Sequence, residues 1–362
     1  MLMHKDIDIL DFDLQMRGTW LAGISLTQPI YAGGRIHAAN RMARIGQEIS
    51  LEQARQIRQE VIYDVDNTYY TLIAIHEKVK MLEAYRKQIA ELHKNVSVLV
   101  NNELRTQADL LRIETRQSEV DYQLQRARNG EELCRLSLCR LIGADLDAPI
   151  TAADTVMNVL PPADLSADIA LRPELSILQQ QVELRQQQVK QARAGMLPTL
   201  GLVLSYSYFD NLKFKGSMML PSGRPITANQ TLHSGSPTGL LSLSVPLFHW
   251  GAERARVNKA KADVQDANLQ LQENRSLMSI QARKAIQNLT HGYLLVETAR
   301  RTVSQANDNL HTQQSRYSAQ LSTLSDLLDA QSQWQQAQSN LIEAITQQKI
   351  NETDYLRVTG RL

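Results

Sequence analysis

The chain has 362 residues, 43% apolar but only 5% aromatic, and its 39 basic residues face 38 acidic ones for a formal net charge of +1. So neutral a chain offers no field for nucleic acid or an anionic surface, and its aromatic-poor composition argues against ordinary large globular cores. No stretch approaches the ~18 consecutive apolar residues of a membrane-crossing helix, and Met1 to Gln15 lack the basic start and apolar run of a signal peptide; neither point bears on a β-barrel, whose strands give a weaker signal.

The first element is a strand. Trp20, Ala22, Ile24 and Leu26 alternate with Gly23, Ser25 and Thr27, so large apolar side chains line one face and small, mostly polar ones the other. A long helical arm follows from Gly34 to about Asn102, on the order of 100 Å at 1.5 Å per residue. Its seam, Val79, Leu82, Arg86, Ile89, His93, Val96 and Val100, steps by three and four. A period so near 3.5 keeps facing a partner helix only if the helices supercoil. Leu104-x-Thr106-x-x-Asp109-Leu110-Leu111 marks the midpoint, and Gly143 stops the second arm. Cys134 and Cys139 lie five residues apart on one predicted helix and point about 140° apart, so they read as two separate half-buried residues.

Ala144 to Ala170 has turn composition, including Pro161-Pro162. Arg172-Pro173-Glu174-Leu175 then opens a helix that runs to about Gly195. A second strand follows Leu197-Pro198, where Leu200, Leu202, Leu204, Tyr206 and Tyr208 alternate with Gly201, Val203, Ser205 and Ser207. Asn211 to Thr238, rich in Gly, Ser, Pro and Thr, reads as a long loop. Leu241, Leu243, Val245 and Leu247 alternate with Ser242 and Ser244 in a third strand. The alternation fits a lipid-facing barrel and a half-buried soluble sheet equally. Aromatics near strand ends (Trp20, Tyr31, Tyr208, Phe209, Phe248, Trp250) favour a membrane girdle.

The remainder repeats the first part. Pro29 to Gly143 returns as Pro246 to Gly360 with an offset of 217 at both ends. Gly34 falls on Gly251, and Leu321-x-Thr323-x-x-Asp326-Leu327-Leu328 repeats the midpoint without a gap. The seam returns as Val296, Ala299, Val303, Ala306, Leu310, Gln313 and Tyr317. Beyond the midpoint, Leu327, Trp334, Leu341 and Tyr355 share one heptad phase and Ala330, Ala337 and Ala344 the companion phase. The unit is a supersecondary block used twice.

These landmarks divide the chain into a first segment and strand over 1–31, a helical hairpin over 32–143 and a linker with its helix over 144–196. A strand pair with its loop over 197–248 and a second hairpin over 249–362 complete it. The fold class is mainly α, with duplicated coiled-coil hairpins and a small amphipathic β part. No nucleophile elbow, phosphate loop or Cys/His cluster appears, so neither catalysis nor a cofactor nor a metal is expected.

Thr27-Gln28-Pro29-Ile30-Tyr31 with Gly33-Gly34, the Arg172-Pro173-Glu174-Leu175 opening, Ala194-x-x-Leu197-Pro198, and above all Arg316-Tyr317-x-x-x-Leu321-x-Thr323-x-x-Asp326-Leu327-Leu328-Asp329-Ala330 resemble the TolC family of outer-membrane efflux factors. The resemblance implies a homotrimer in outer-membrane lipid, with four barrel strands from each protomer and a helical tunnel across the periplasm. It implies passive export of small molecules, driven by an inner-membrane pump through a periplasmic adaptor. A protein-secretion channel shares every feature, and a soluble coiled-coil scaffold would use the same seams. The family pattern also places a signal peptide, a helix and a strand ahead of the position of Met1.

In that family the tips carry Gly just before the conserved Leu, where this chain has Glu103 and Gln320. A wider or displaced turn is therefore expected, with adaptor contacts over Asn102, Glu103, Leu104, Ala319, Gln320 and Leu321. The resemblance assigns Asp326 and Asp329 to an acidic, cation-attracting ring at the tunnel entrance and pairs Tyr317 with Asp109 as a tie between hairpins. An arginine that strengthens this lock in the family's archetype falls here on Ser322. From the residues alone, Asp326 and Asp329 read first as two solvated acids beside a helix N-terminus, and Tyr317 fills its seam; it is the resemblance that favours the ring.

Overall fold

A computed structural model describes residues 10–15, 18–150, 158–219, 224–248 and 250–362. In chain order the elements are β1 (Leu10–Gln15), β2 (Trp20–Ala32), α1 (Arg35–Asn101), α2 (Gln107–Ile142), α3 (Pro173–Ala194), β3 (Thr199–Met219), β4 (Pro225–Ser244), α4 (Ala252–Ser318) and α5 (Leu324–Val358). They form two compact units. One takes the described residues up to Gly46 with Val182–Ala267, the other Gln47–Gln181 with Asn268–Leu362.

The first unit contains the antiparallel sheet. β2 pairs with one edge of β3, Ile24 opposite Tyr206 and Leu26 opposite Leu204, while β4 takes the other edge, with Leu202 opposite Leu241 and Leu200 opposite Leu243. Directly opposed residues share a face. The register therefore merges the three alternations into one apolar face from Trp20 to Leu243 and an opposite face carrying Ser25, Thr27, Ser205, Ser207, Ser236 and Ser242. Among the described residues nothing covers the apolar side: Trp20 is 75%, Ile24 80% and Leu243 66% exposed.

Two expectations change here. Within the expected loop, 211–219 and 225–238 are strand, because β3 continues to Met219 and pairs with β4 from Leu212 opposite Leu232 to Met219 opposite Pro225; 220–223 lie outside the described residues. Small residues read as turn formers, yet here they make room for large neighbours. A side chain at Gly235 would collide with the Tyr206 ring and hydroxyl. The strand count also rises, since β1 pairs with β3 from Leu10 opposite Met218 to Gln15 opposite Lys213. β1 and β2 follow one another along the same edge of β3, so the described sheet stays three strands wide.

β2 enters α1 through Gly33 and Gly34, at φ 61° and 83°. A Cβ on Gly33 would stand 2.8 Å from the Ala194 carbonyl oxygen and 2.9 Å from Leu197 Cβ, so only glycine fits where this turn crosses the end of α3.

The second unit is helical. α1 and α4 are 67 residues each and their ends differ by the repeat offset, so the long arm is duplicated residue for residue. Val79, Leu82, Ile89 and Val96 of the expected seam are buried. Arg86 is not: Tyr85 is fully buried in its place, while Arg86 reaches Asp121 at 2.6 Å. Tyr85 takes that core place because a phenol buries more apolar surface than a guanidinium without the cost of desolvating a charge, and the seam is back in its expected phase at Ile89 and Val96. Near the midpoints the hairpins share one core, in which Tyr85, Ile89, Val96, Ile113 and Val120 meet Leu324 of α5.

The Arg-Pro-Glu-Leu opening ties this unit together. Arg172 is 6% exposed and donates to both Glu174 carboxylate oxygens, at 3.3 and 3.0 Å, and to Gln281 Oε1 at 2.8 Å. The Arg172 guanidinium holds Glu174 below the usual carboxylate range against the opposing effect of its burial. Arg55 of α1 donates to the carbonyls of Leu171 and Gly360, at 3.0 and 3.1 Å, clasping the linker to the end of α5. Within the turn-rich stretch, residues 151–157 lie outside the described residues. Its later part is fixed by Tyr355, whose hydroxyl accepts from Ser166 N–H at 2.9 Å and donates to Ser166 O at 3.1 Å. Cys139 is buried and Cys134 half-buried, both as free thiols.

Candidate functional site

The residues singled out by the repeat collect at the two hairpin tips. α1 stops when Leu104 N–H bonds Leu99 O at 2.8 Å and Glu103 N–H bonds Val100 O at 2.9 Å; α4 stops identically, with Leu321 to Arg316 at 2.7 Å and Gln320 to Tyr317 at 3.0 Å. These paired bonds form a Schellman motif, which requires a left-handed residue just past the helix. Glu103 and Gln320 are that residue, each at φ 61°. The turns are therefore neither wider nor displaced for lack of glycine, and two non-glycine residues absorb the strain instead. Leu104 and Leu321, each 69% exposed, project at the apices.

The next helices start with reciprocal caps. Thr106 Oγ1 accepts Asp109 N–H at 3.3 Å, and Asp109 Oδ2 accepts from Thr106 Oγ1 at 2.9 Å and from Thr106 N–H at 3.4 Å. Thr323 and Asp326 repeat this at 3.2, 2.7 and 2.9 Å. The Thr-x-x-Asp spacing is a capping-box signal that sequence reading left unused, and it gives both aspartates a local structural task. Hydrogen bonds from the Thr323 hydroxyl and amide hold the Asp326 carboxyl below the usual aspartate range, and Arg316 acts in the same direction. Within one chain Asp326 thus favours the ionised form, against the proton uptake that repulsion in a ring would produce. Asp329, one turn on, is exposed.

The expected tie between Tyr317 and Asp109 is absent within the chain. Asp109 spends its carboxylate on the cap, and the Tyr317 hydroxyl is buried without a hydrogen-bond partner among the described residues. Tyr317 packs against the shared core instead, as its seam phase requires. Burial pushes its hydroxyl pKa up, the Arg105 charge opposes that and Asp109 adds to it. Ser322 supplies no lock either, since its hydroxyl is also buried and has no partner among the described residues. The cation at this place is Arg105, on the first tip, whose guanidinium lies 5.2 Å from the centre of the Tyr317 ring. No spacing in the sequence announces this contact between hairpins.

A second residue missed by sequence reading is Arg116. It donates to Tyr85 Oη at 3.0 Å, Glu119 at 2.7 Å, Ser332 Oγ and Gln335 Oε1 at 3.4 Å, joining α1, α2 and α5 through one side chain. Its repeat counterpart is Gln333, so the duplication carries no signal for it. No group of His, Cys, Asp or Glu suited to hold a metal occurs among the described residues.

Residues 12–144 and 165–361 match the outer membrane efflux protein family. The chain belongs to that family. It is 26% identical over 355 residues to the alkaline protease secretion protein AprF of Pseudomonas aeruginosa, covering 95% of this chain and 69% of AprF. It is also 26% identical over 195 residues to the outer membrane protein TolC of Escherichia coli, a match spanning 53% of this chain and 39% of TolC. In fold it resembles the outer membrane protein VceC of Vibrio cholerae, with a TM-score of 0.75 at 16% identity, covering 97% of this chain and 87% of that one. CusC is similar at a TM-score of 0.79 and 14% identity, covering 97% and 82%. The chain is an outer-membrane channel protein of mainly α fold with a small β part, and not an enzyme.

Proposed function

We propose that this chain is the passive outer-membrane duct of a pump-driven efflux system for small molecules. The observation that carries the reading is the two-faced sheet. Register alone, without any contribution from buried packing, assembles a continuous apolar face and a serine-rich face. The outer edges of β2 and β4 have no strand partner among the described residues. Open edges are costly in lipid, which supports closure by further copies into a homotrimer. The exposed tips, Asn102, Glu103 and Leu104 with Ala319, Gln320 and Leu321, are the surface assigned to a periplasmic adaptor, which joins the duct to an inner-membrane pump. Asp326 and Asp329 ring the entrance, and Tyr317 with Asp109 lies beside it, the hold between hairpins passing through Arg105.

The test is complementation in a strain lacking its own outer-membrane duct, with the cognate adaptor and pump. Leu104→Asp with Leu321→Asp should abolish drug resistance while leaving trimer and membrane fraction unchanged; resistance retained by that variant would remove the tips from the adaptor interface. The 26% identity to a protease secretion protein over 95% of the chain supports export of a protein as a second reading. Appearance of a secreted polypeptide without any change in drug accumulation would select it.

A further inference from the structure

The two strand-to-helix junctions are related by the repeat, and they differ at one residue in a way that duplication does not explain. In the first, Gly33 takes φ 61° and is closed in by Ala194 and Leu197. In the second, the equivalent position is Trp250, at φ 49° and 90% exposed. A left-handed tryptophan is strained where glycine would not be, and strain that survives beside a strain-free solution points to a use for the side chain. Trp250 stacks edge-on against Phe248, ring centres 5.0 Å apart, with Phe248 itself 70% and Leu247 90% exposed. Beside this pair is a recess of about 180 Å³, lined by Met196, Pro246, Leu247 and Phe248 on its apolar side and by Glu253 and Arg254 at its polar end. Glu253 is engaged by Arg256 at 2.6 Å, whereas no hydrogen bond or ion pair holds the exposed Arg254 among the described residues.

We propose that this recess binds a phospholipid of the surrounding membrane, with the phosphate on Arg254 and the first part of the acyl chain along Leu247, Phe248 and Trp250. The volume admits a headgroup phosphate and not a whole lipid, which leaves the chains on the exposed apolar residues outside. An apolar body with a cation one helical turn away is the chemistry of the membrane boundary, where aromatic rings and basic side chains meet ester and phosphate groups. Exposed apolar residues continue into the sheet through Val245, Leu243 and Leu241, at 49%, 66% and 63%. A neighbouring copy is the competing occupant, and the first junction argues against it. A partner packed as Ala194 and Leu197 pack on Gly33 leaves no room even for a Cβ, let alone an indole.

The inference rests on insertion of the sheet in a bilayer, so insertion is scored separately, by the mobility difference between heated and unheated protein on a gel. The full chain, with Trp20→Phe and Trp334→Phe so that Trp250 is the sole tryptophan, is reconstituted in phosphatidylethanolamine and phosphatidylglycerol bilayers. Lipids brominated near the headgroup should quench Trp250 several-fold more than lipids brominated at the chain end, and aqueous iodide should quench it little. Arg254→Gln should lower the phospholipid retained by detergent-solubilised protein in native mass spectrometry about fivefold, and inorganic phosphate should not compete. Trp250→Gly should insert normally, since glycine suits the left-handed turn, yet lose lipid to a similar degree.

Quenching by iodide alone, shielding from both quenchers as a covering protein copy would give, or equal competition by free phosphate would each overturn the proposal while insertion stands. Failure to insert would overturn both.

Discussion

The two helical hairpins are built alike at their ends and differently inside. Both tips close on a Schellman turn and reopen on a Thr-x-x-Asp cap, and both far ends stop at a left-handed glycine, Gly143 and Gly360, at φ 71° and 74°. Between those ends the seam residues diverge. Ile113 and Val120 of α2 correspond to Ala330 and Ala337 of α5, all four buried. Glu131 meets His76 at 2.6 Å in the first hairpin, while its counterpart Gln348 is 1% exposed, lies over Gly292 and donates to Leu289 O at 3.1 Å in the second. End motifs are local, satisfying backbone groups within a few residues, so they survive duplication intact. Interior residues answer to other helices, and each copy has its own neighbours.

The sharpest challenge to this contrast is a swap between the seams. Ile113→Ala should destabilise the helical unit by about 2–5 kcal/mol through lost burial and a cavity, and Ala330→Ile by about 1–3 kcal/mol through overpacking. Denaturant unfolding followed by circular dichroism measures both. Equal small effects would mean that the interiors are interchangeable and that the contrast is false.

Next come the two stop glycines, which share a backbone conformation but not surroundings. Nothing lies within 4 Å of a Cβ on Gly143, whereas one on Gly360 would stand 2.6 Å from Arg172 N. Gly143→Ala should cost only the left-handed strain, about 1–2 kcal/mol. Gly360→Ala should cost about 1–3 kcal/mol more and loosen the linker clasp. Matching losses in the same unfolding assay would show that the clasp contributes nothing.

The tips should respond in the opposite sense. Glu103→Gly and Gln320→Gly each remove a strained left-handed side chain and should stabilise by about 1 kcal/mol, alike in both copies because the motif is local. In contrast, Arg105→Ala should cost about 0.5–1 kcal/mol of the contact between tips. Tyr317→Phe should leave stability and resting conductance nearly unchanged, since its hydroxyl has no partner to lose. A rise in bilayer conductance with Tyr317→Phe would restore the hydroxyl tie.

The smallest effect is a pH dependence. Asp326 titrates below the ordinary aspartate value of 3.8 in the folded chain, so the stability it lends is present above the unfolded value and is lost as pH falls through the lower, folded one. Asp326→Asn should flatten the acid limb of the stability profile below about pH 4 and leave neutral behaviour little changed. An acid limb identical to wild type would show that the cap is not what holds this carboxyl ionised.

Much was legible in the residues because it is local or periodic. The offset of 217 fixed the duplicated arms, alternation fixed the faces of β2 and β3, and the Leu-x-Thr-x-x-Asp motif marked both reversals. The continuation of β3 over 211–219 and of β4 over 225–238 was not legible, because glycine and serine there acquire meaning only when Tyr206 of the paired strand occupies the space above Gly235. The exchange of Arg86 for Tyr85 escaped for a similar reason, as Tyr85 is drawn into the core by Ile113, Val120 and Leu324 and Arg86 is drawn out by Asp121, partners that only the packed hairpins supply.

By itself, then, the sequence determined the period, the faces, the caps and the family, each of which depends on residues close together or regularly spaced. Tertiary structure alone decided that Arg105 covers Tyr317, that Arg116 joins three helices, that Arg55 clasps Gly360 and that Trp250 stands exposed where Gly33 is enclosed. Those outcomes depend on contacts between residues tens to hundreds of positions apart, and no local pattern encodes which side chain will meet which.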